Sequence, residues 1–111
     1  MPKTYEVLWS ETAENDLIKI IEYIAQSSPD NALKILEEIR EQVEDLSFFS
    51  EKCRIVPELY SQGITLYREM VISPWRVQYR IADSQVFVLS VLDSRQNIED
   101  ILLQRLTQHI I

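Results

Sequence analysis

A chain of 111 residues, 46% of them hydrophobic and 26% charged, has the length and composition of one soluble globular domain and not of a disordered protein. No apolar run approaches the roughly 20 residues of a membrane span, and the N-terminal residues contain no signal-peptide core. The single cysteine, Cys53, has no partner for a disulfide or a zinc site. We therefore expect a cytoplasmic protein that needs no metal or cofactor.

The net charge of −7 is distributed unevenly along the chain. Residues 1–47 contain four basic and eleven acidic side chains, whereas residues 48–111 contain seven of each, and six of those seven bases are arginine. The overall acidity repels a polyanion, but an arginine surface in the second half can still contact phosphate locally. Composition alone therefore does not exclude nucleic acid as a partner.

The first half of the chain predicts a strand followed by two helices. Residues 5–9 are β-prone, and Ser10 follows as the N-cap of a helix with apolar residues at helical spacing. Ser28 and Pro29 start a second amphipathic helix that runs to about Leu46. Because the break between them is short, the helices are predicted to be antiparallel and to turn their apolar faces to a common sheet.

The second half predicts three strands and a final helix. Residues 48–63 contain a proline and the only glycine, so we expect an irregular connection there. Strands are predicted at 66–73, 75–82 and 85–92, joined by short turns as antiparallel hairpins, and the last is apolar on both faces, as in a central strand. Asn97 caps the final helix. The order β-α-α-β-β-β-α predicts a single α+β domain over the whole chain, with an N-terminal helical hairpin packed on a mostly antiparallel four-stranded sheet.

Arginines on the predicted strands are the main candidates for a functional site. Arg68 lies on one strand, Arg76 and Arg80 lie on the next, and Arg95 follows the last strand. The planar guanidinium of arginine binds phosphate and carboxylate groups bidentately. We expect these four residues to form one cluster, with Trp75 beside it as an aromatic contact. The alternative is a purely structural role in ion pairs, with Glu58, Glu69 and Asp83 as the available partners.

Several segments together resemble the RelE/ParE superfamily, the toxins of type II toxin–antitoxin (plasmid stabilisation) systems. They are, in chain order, ETAENDL after the opening strand, YIAQSSPDNA, RIVPELYSQGITLYREM, WRVQYRI and DSRQNIEDILLQRL. The resemblance covers essentially the whole chain. It implies a small bacterial toxin that arrests growth and is neutralised in a hetero-oligomer by a cognate antitoxin, whose partly disordered C-terminal segment wraps around it.

The superfamily contains two activities, and the resemblance assigns residues to each. RelE-like members are ribosome-dependent mRNA endoribonucleases that need no metal, and their basic strand residues match Arg68, Arg76 and Arg95 here. ParE-like members inhibit DNA gyrase. In this chain Met70 stands where RelE-like toxins often have a second base, and the last helix has no tyrosine. Proton transfer would fall to one of a few side chains, namely Tyr67, Tyr79, Glu58, Glu69 and His109.

These differences favour a ParE-like toxin, closer to the gyrase inhibitors than to the ribonucleases. In that interpretation Arg68, Arg76, Arg80, Arg95 and Trp75 contact the target or the antitoxin. An amphipathic segment of the antitoxin is expected to lie over the sheet and the helical hairpin, with acidic side chains that reach the arginines. The alternatives are a RelE-like ribonuclease acting on mRNA at the ribosome, or an inactive relative that only binds antitoxin.

Overall fold

A computed structural model describes residues 4–108 of the chain. Five strands form one sheet in the order β1-β5-β4-β3-β2: β1 (Glu6–Trp9), β2 (Arg54–Ile55), β3 (Tyr67–Ile72), β4 (Trp75–Ala82) and β5 (Gln85–Asp93). Three longer helices are α1 (Glu11–Ala25), α2 (Pro29–Glu44) and α5 (Ile98–Thr107), and two single-turn helices are α3 (Leu46–Phe49) and α4 (Pro57–Tyr60). Within residues 4–108, no helix has the length and apolar content needed to cross a bilayer.

The predicted helical hairpin is confirmed, including the residues that begin each helix. The Ser10 hydroxyl accepts a hydrogen bond from the backbone N–H of Ala13 at 3.0 Å, and Ser28 accepts one from Asn31 at 3.3 Å. These side chains satisfy N–H groups that a helix leaves unpaired at its start. Pro29 is the first residue of α2, where its missing N–H costs nothing.

Helices cover both faces of the sheet. α1 and α2 pack on what we call the hairpin face, to which β4 and β5 contribute Val77, Tyr79, Val86, Val88 and Val91. α4 and α5 pack on the opposite face, the α4/α5 face, whose apolar core consists of Val56, Leu59, Leu92, Ile98 and Leu102. The central strand β5 is thus buried on both sides, as its sequence predicted.

The α+β class is confirmed, but the sheet has five strands and not four. β1 runs parallel to β5, and the other neighbouring strands are antiparallel. The predicted irregular connection over residues 48–63 was wrong, because it contains β2, α4 and the end of α3. β2 is only two residues long and exists through its pairing with β3, while Leu59, which is 1% exposed, anchors α4 to the core. Gly63 follows α4 with φ +79°, a conformation that favours glycine.

One ion pair connects the two helical layers around the edge of the sheet. β1 ends opposite Val88, so the N–H of Val91 on β5 has no strand beside it and donates instead to Oδ2 of Asp16 at 3.0 Å. The same carboxylate accepts two hydrogen bonds from Arg105 of α5, at 2.8 and 2.9 Å. Asp16 therefore fixes α5 to α1 as well as closing the exposed edge of β5.

Candidate functional site

Arg76 lies on the α4/α5 face of β4, with its guanidinium enclosed by two carboxylates. Its side chain is only 9% exposed. Nη1 and Nη2 donate to the two oxygens of Glu58 at 2.7 and 2.6 Å. Nε and Nη2 donate to the two oxygens of Glu69, both at 2.9 Å. Each guanidinium nitrogen already has a carboxylate partner, so Arg76 cannot bind a phosphate without losing part of an ion pair.

The Arg76 pairs belong to a row of polar side chains that crosses four strands. Directly paired positions of β2, β3, β4 and β5 hold Arg54, Glu69, Gln78 and Ser90, which we call the polar ladder. Arg54 Nε and Gln78 Nε2 donate to Glu69 at 2.7 and 3.0 Å, and Ser90 Oγ donates to Gln78 at 2.7 Å. Glu69, Gln78 and Ser90 are at most 1% exposed. A buried carboxylate of this kind is stable only with such a complete set of donors.

The electrostatics of the pair keep both groups charged. Hydrogen bonds that Arg76 donates to Glu58 lower the pKa of Glu58, and the same hydrogen bonds raise the pKa of Arg76. A carboxylate with a lowered pKa is a weaker proton acceptor. Glu58 is thus a poor general base in this arrangement.

Of the other predicted proton-transfer groups, Glu69 contacts Arg76, whereas Tyr79 lies on the opposite face of the sheet. Burial raises the pKa of Tyr79, whose hydroxyl donates to the backbone oxygen of Ser50 at 2.5 Å on the hairpin face. Glu69 is fully engaged in the polar ladder. His109 lies outside the described residues. In the part of the chain that the structure describes, no three His, Cys, Asp or Glu side chains are close enough to hold a metal ion.

Arg68 and Arg76 point to opposite faces of the sheet. In the register of β3 and β4, Arg76 lies opposite Val71, and Val71 is three positions after Arg68 on β3. Side chains three residues apart on a strand alternate to opposite sides. Arg68 is half-buried on the hairpin face and donates from Nη1 to the backbone oxygen of Cys53 at 2.7 Å.

Arg80 and Arg95 are also separate from Arg76. Arg80 shares its face but lies four residues along β4, a distance of about 13 Å between Cα atoms. Its Nε is buried and has no hydrogen-bond partner within residues 4–108. Arg95 lies beyond the end of β5 with its side chain 82% exposed, and pairs with Asp93 at 2.7 Å. The expected single arginine cluster was therefore wrong.

Two of the predicted residues do meet, in a surface notch of about 260 Å³ at the end of the molecule. Trp75 opens β4 there and Arg95 follows β5, while α1 contributes Lys19 and the 75% exposed Tyr23. We call this the Arg95 notch. Exposed cations beside two aromatic rings form a surface suited to contact with another protein.

A second surface is a groove of about 510 Å³ between α1 and α2 that also involves the end of β1. It lies on the helical hairpin, which the antitoxin was expected to cover, but none of its lining residues was predicted as a contact residue. We call it the hairpin groove; its lining includes Trp9, Leu17, Ile18, Ile21 and Leu36. Ile18 is 52% exposed, and Leu33, one turn before Leu36, is 59% exposed. The signal in the sequence was that both residues lie outside the core-facing apolar rows of their helices.

The fold and its surfaces define a small α+β domain with no assembled phosphate-binding centre among residues 4–108 and with two surfaces suited to protein partners. The chain belongs to the ParE toxin family: the family model described as "ParE toxin of type II toxin-antitoxin system, parDE" matches residues 7–98. The resemblance to the RelE/ParE superfamily, on its ParE-like side, is thereby confirmed. No curated protein matches the chain.

Solved structures of toxin–antitoxin systems share this fold. The chromosomal ParDE system from P. aeruginosa contains a chain that is 21% identical, with a TM-score of 0.68, over 82% of this chain and 97% of that one. The RelBE2 toxin–antitoxin complex from Mycobacterium tuberculosis contains a chain that is 25% identical, with a TM-score of 0.58, over 81% and 98%. Both alignments cover nearly all of the matched chain, so the similarity extends over a complete domain.

Proposed function

We propose that this ParE-type toxin acts by binding DNA gyrase and inhibiting it, and that it does not cleave mRNA. The observation that carries the proposal is the enclosure of Arg76 by Glu58 and Glu69. Arg76 matches a basic strand residue that a RelE-like ribonuclease would present to phosphate. Here the same side chain is buried and serves to hold α4 against the sheet.

The requirements of RNA cleavage support this proposal. Cleavage without a metal needs a base, an acid and a cation arranged around one phosphate. Arg68 lies on the opposite face from Arg76, and Arg95 lies beyond the end of β5, so the three matched arginines do not surround one site. The lowered pKa of Glu58 makes its carboxylate a weaker base. A protein that acts by contact needs no such arrangement.

We propose Arg95 and Trp75 as contact residues, together with Lys19 and Tyr23 of the Arg95 notch. Arg95 has the most exposed side chain of the predicted arginines, and its neighbour Tyr23 is an aromatic residue left on the surface. Aromatic and arginine side chains supply much of the energy at protein interfaces. Arg76 is buried, and this supports a role in stabilising the fold and not in contacting a partner.

We propose a cognate antitoxin as the neutralising partner, in a hetero-oligomer. The ParDE system and the RelBE2 complex are toxin–antitoxin pairs that share the fold. The exposed apolar residues Ile18 and Leu33 offer a surface that a partner can cover.

Two assays run side by side on antitoxin-free protein test the mechanism. One measures supercoiling by gyrase and the other measures cleavage of mRNA on programmed ribosomes. Inhibited supercoiling with intact mRNA is the expected result.

Arg95→Ala should weaken inhibition, while Lys34→Ala, which removes an exposed cation from the outer surface of α2, serves as the matched control. Cut mRNA with normal supercoiling would contradict the proposal and return Arg68, Arg76 and Arg95 to a catalytic role. Inactivity in both assays would favour the inactive relative.

A further inference from the structure

The Arg95 notch has an apolar lining to which two elements contribute. Ile20 and Ile24 of α1 are one helical turn apart, and Pro74 and Trp75 come from the start of β4 and the turn before it. Ile20 and Trp75 also pack against the core of the hairpin face, so this lining is held in place. At about 260 Å³ the notch is smaller than the roughly 300–1,000 Å³ pockets that enclose whole small molecules. It therefore has room for one or two side chains of a larger partner.

The notch carries a charge of the opposite sign to that of the chain as a whole. Lys19 and Arg95 line it with one carboxylate, Asp93, which leaves an excess of one positive charge, whereas the net charge of the chain is −7. Arg95 donates to Asp93 from Nε and Nη2, and its Nη1 has no hydrogen-bond partner within residues 4–108. Lys19 is in no ion pair in that part of the chain. A ligand with a carboxylate beside an apolar group complements both features of the notch.

We propose that the Arg95 notch receives an acidic segment of gyrase, in which a large apolar side chain lies beside an aspartate or a glutamate. The apolar side chain packs on Ile20 and Trp75, and the carboxylate pairs with Lys19 and with Nη1 of Arg95. The identity of the partner rests on the proposed function, whereas the chemistry of the segment follows from the notch.

Single-stranded nucleic acid is the other ligand whose groups resemble this chemistry, since bases stack on aromatic rings and phosphates pair with cations. The charges favour the protein segment. Each phosphate of a polyanion adds to the repulsion from a chain with a net charge of −7. One carboxylate meets mainly the local charge, because distant charges are screened by salt. The excess of a single cation in the notch matches one carboxylate and not a row of phosphates.

The first test uses the antitoxin-free chain and two synthetic peptides of about eight residues, long enough to cross the notch when extended. Both contain a central leucine and phenylalanine; one has glutamates beside them and the other has lysines at the same positions. A thymidine oligonucleotide is the third ligand. The chain has two tryptophans, so two indole N–H signals in an NMR spectrum report where each ligand binds, and Trp75→Phe assigns them.

The glutamate peptide should move the signal of Trp75 and leave that of Trp9, which lines the hairpin groove, unchanged. It should bind at least about fivefold more tightly than the lysine peptide, since two cations act together. An equal or better affinity for the lysine peptide, or a shift of Trp9 alone, would overturn the proposal. A shift of Trp75 caused by the oligonucleotide and by neither peptide would identify nucleic acid as the ligand and overturn it as well.

Charge variants locate the preference. Lys19→Gln with Arg95→Gln removes both cations of the notch and should weaken binding of the glutamate peptide by at least about fivefold. Lys34→Gln with Lys52→Gln removes the same charge from exposed positions outside both surfaces and should leave this binding unchanged. Asp93→Asn removes the competing carboxylate, so it should tighten binding by about threefold. Equal losses in the two double variants, or weaker binding by Asp93→Asn, would overturn the proposal.

The same variants in the supercoiling assay separate this inference from the proposed function. The concentration that inhibits gyrase by half should rise at least about fivefold for Lys19→Gln with Arg95→Gln and fall for Asp93→Asn. The control double variant should inhibit like the wild type. If all variants inhibit gyrase equally, the notch proposal fails and gyrase inhibition stands. If the wild type does not inhibit gyrase but the glutamate peptide binds at Trp75, gyrase is the wrong partner and the chemistry of the notch stands.

Discussion

The two faces of the central strands solve the same packing problem with opposite chemistry. On the hairpin face, β4 and β5 bury valines and Tyr79 against α1 and α2. On the α4/α5 face, the alternate positions of β3, β4 and β5 bury Glu69, Arg76, Gln78 and Ser90. Apolar packing tolerates many arrangements of similar volume, whereas buried charges are stable only when every partner is in place. Arg76, which pairs with Glu69 of the polar ladder, therefore fixes the position of the single-turn helix α4 through Glu58.

The difference between the faces also explains why the arginines are misleading in the sequence. An arginine on a strand resembles an anion site when its neighbours are unknown. Arg76 becomes part of the scaffold because Glu58 and Glu69 meet it on one face. Arg95 stays available because, among residues 4–108, its one carboxylate partner is Asp93, two residues before it at the end of β5, and the Arg95 side chain is 82% exposed. We therefore propose that contact with other molecules falls to the helices and to the ends of the strands, and not to the middle of the sheet.

The largest effect is expected from Glu69→Gln, which breaks the polar ladder. The amide carries no charge, so Arg76 keeps only Glu58 as a counter-ion, and the free energy of unfolding should fall by about 3 kcal/mol. Urea unfolding at neutral pH measures the loss. Glu38→Gln on the exposed surface of α2 is the control and should stay within about 0.5 kcal/mol of wild type. A loss as small as the control's would mean that the ladder contributes little.

A smaller effect is expected from Tyr79→Phe on the hairpin face. The ring remains and keeps its packing, while the buried backbone oxygen of Ser50 loses the hydroxyl that donates to it. The free energy of unfolding should fall by about 1–2 kcal/mol in the same urea experiment. A loss as large as that of Glu69→Gln would show that the two faces are equally sensitive to polar defects.

Lowering the pH should weaken the ion pair of Glu58 with Arg76 on the α4/α5 face. We expect the resulting loss of stability to be smaller than that caused by Tyr79→Phe. The pKa of Glu58 is lowered from the ordinary value of 4.5 by hydrogen bonds from Arg76, so its contribution to stability is complete above that value. The contribution is lost as the pH falls through the lower pKa of the folded state. The stability difference between wild type and Glu58→Gln should therefore be largest at neutral pH and shrink below about pH 4. A difference that stays constant across urea unfolding at neutral and acid pH would contradict this account.

The smallest effect on stability is expected from Arg95→Ala. This exposed ion pair with Asp93 is screened by solvent and contributes little, so the free energy of unfolding should stay within error of that of the wild type. Affinity for the target should fall by about tenfold if the Arg95 notch is a contact surface. Unfolding and inhibition measured on one preparation separate the two effects. Unchanged inhibition would exclude the notch from the target interface.

The sequence predicted those parts of the fold that local chemistry determines. Ser10, Ser28 and Asn97 each cap the helix assigned to them. β2 and α4 were missed because neither is stable alone: two residues of strand depend on pairing with β3, and one helical turn depends on Leu59 and Glu58. Pro57 was available as a signal, since proline favours the first position of a helix as well as loops.

The separation of Arg68 from Arg76 was also available in principle. A two-residue turn at Ser73 and Pro74 pairs Ile72 with Trp75, and that register places Arg68 opposite Tyr79. The two arginines then alternate to different faces. What no local pattern contains is the pairing of Glu58 with Arg76, 18 residues apart. That contact depends on how α4 packs on the sheet.

The most direct test of a structural role for Arg76 is a paired measurement on Arg76→Gln and Arg76→Lys. Free energy of unfolding is measured beside activity per folded molecule, in whichever assay the wild type inhibits, supercoiling or translation of mRNA. We predict a loss of about 3 kcal/mol for Arg76→Gln, because Glu69 then keeps only Arg54 as a cation partner, and a smaller loss for Arg76→Lys, which keeps the charge but not the paired donors. The molecules that remain folded should have unchanged activity. Stability close to wild type with activity abolished in both variants would contradict the account and make Arg76 a contact residue.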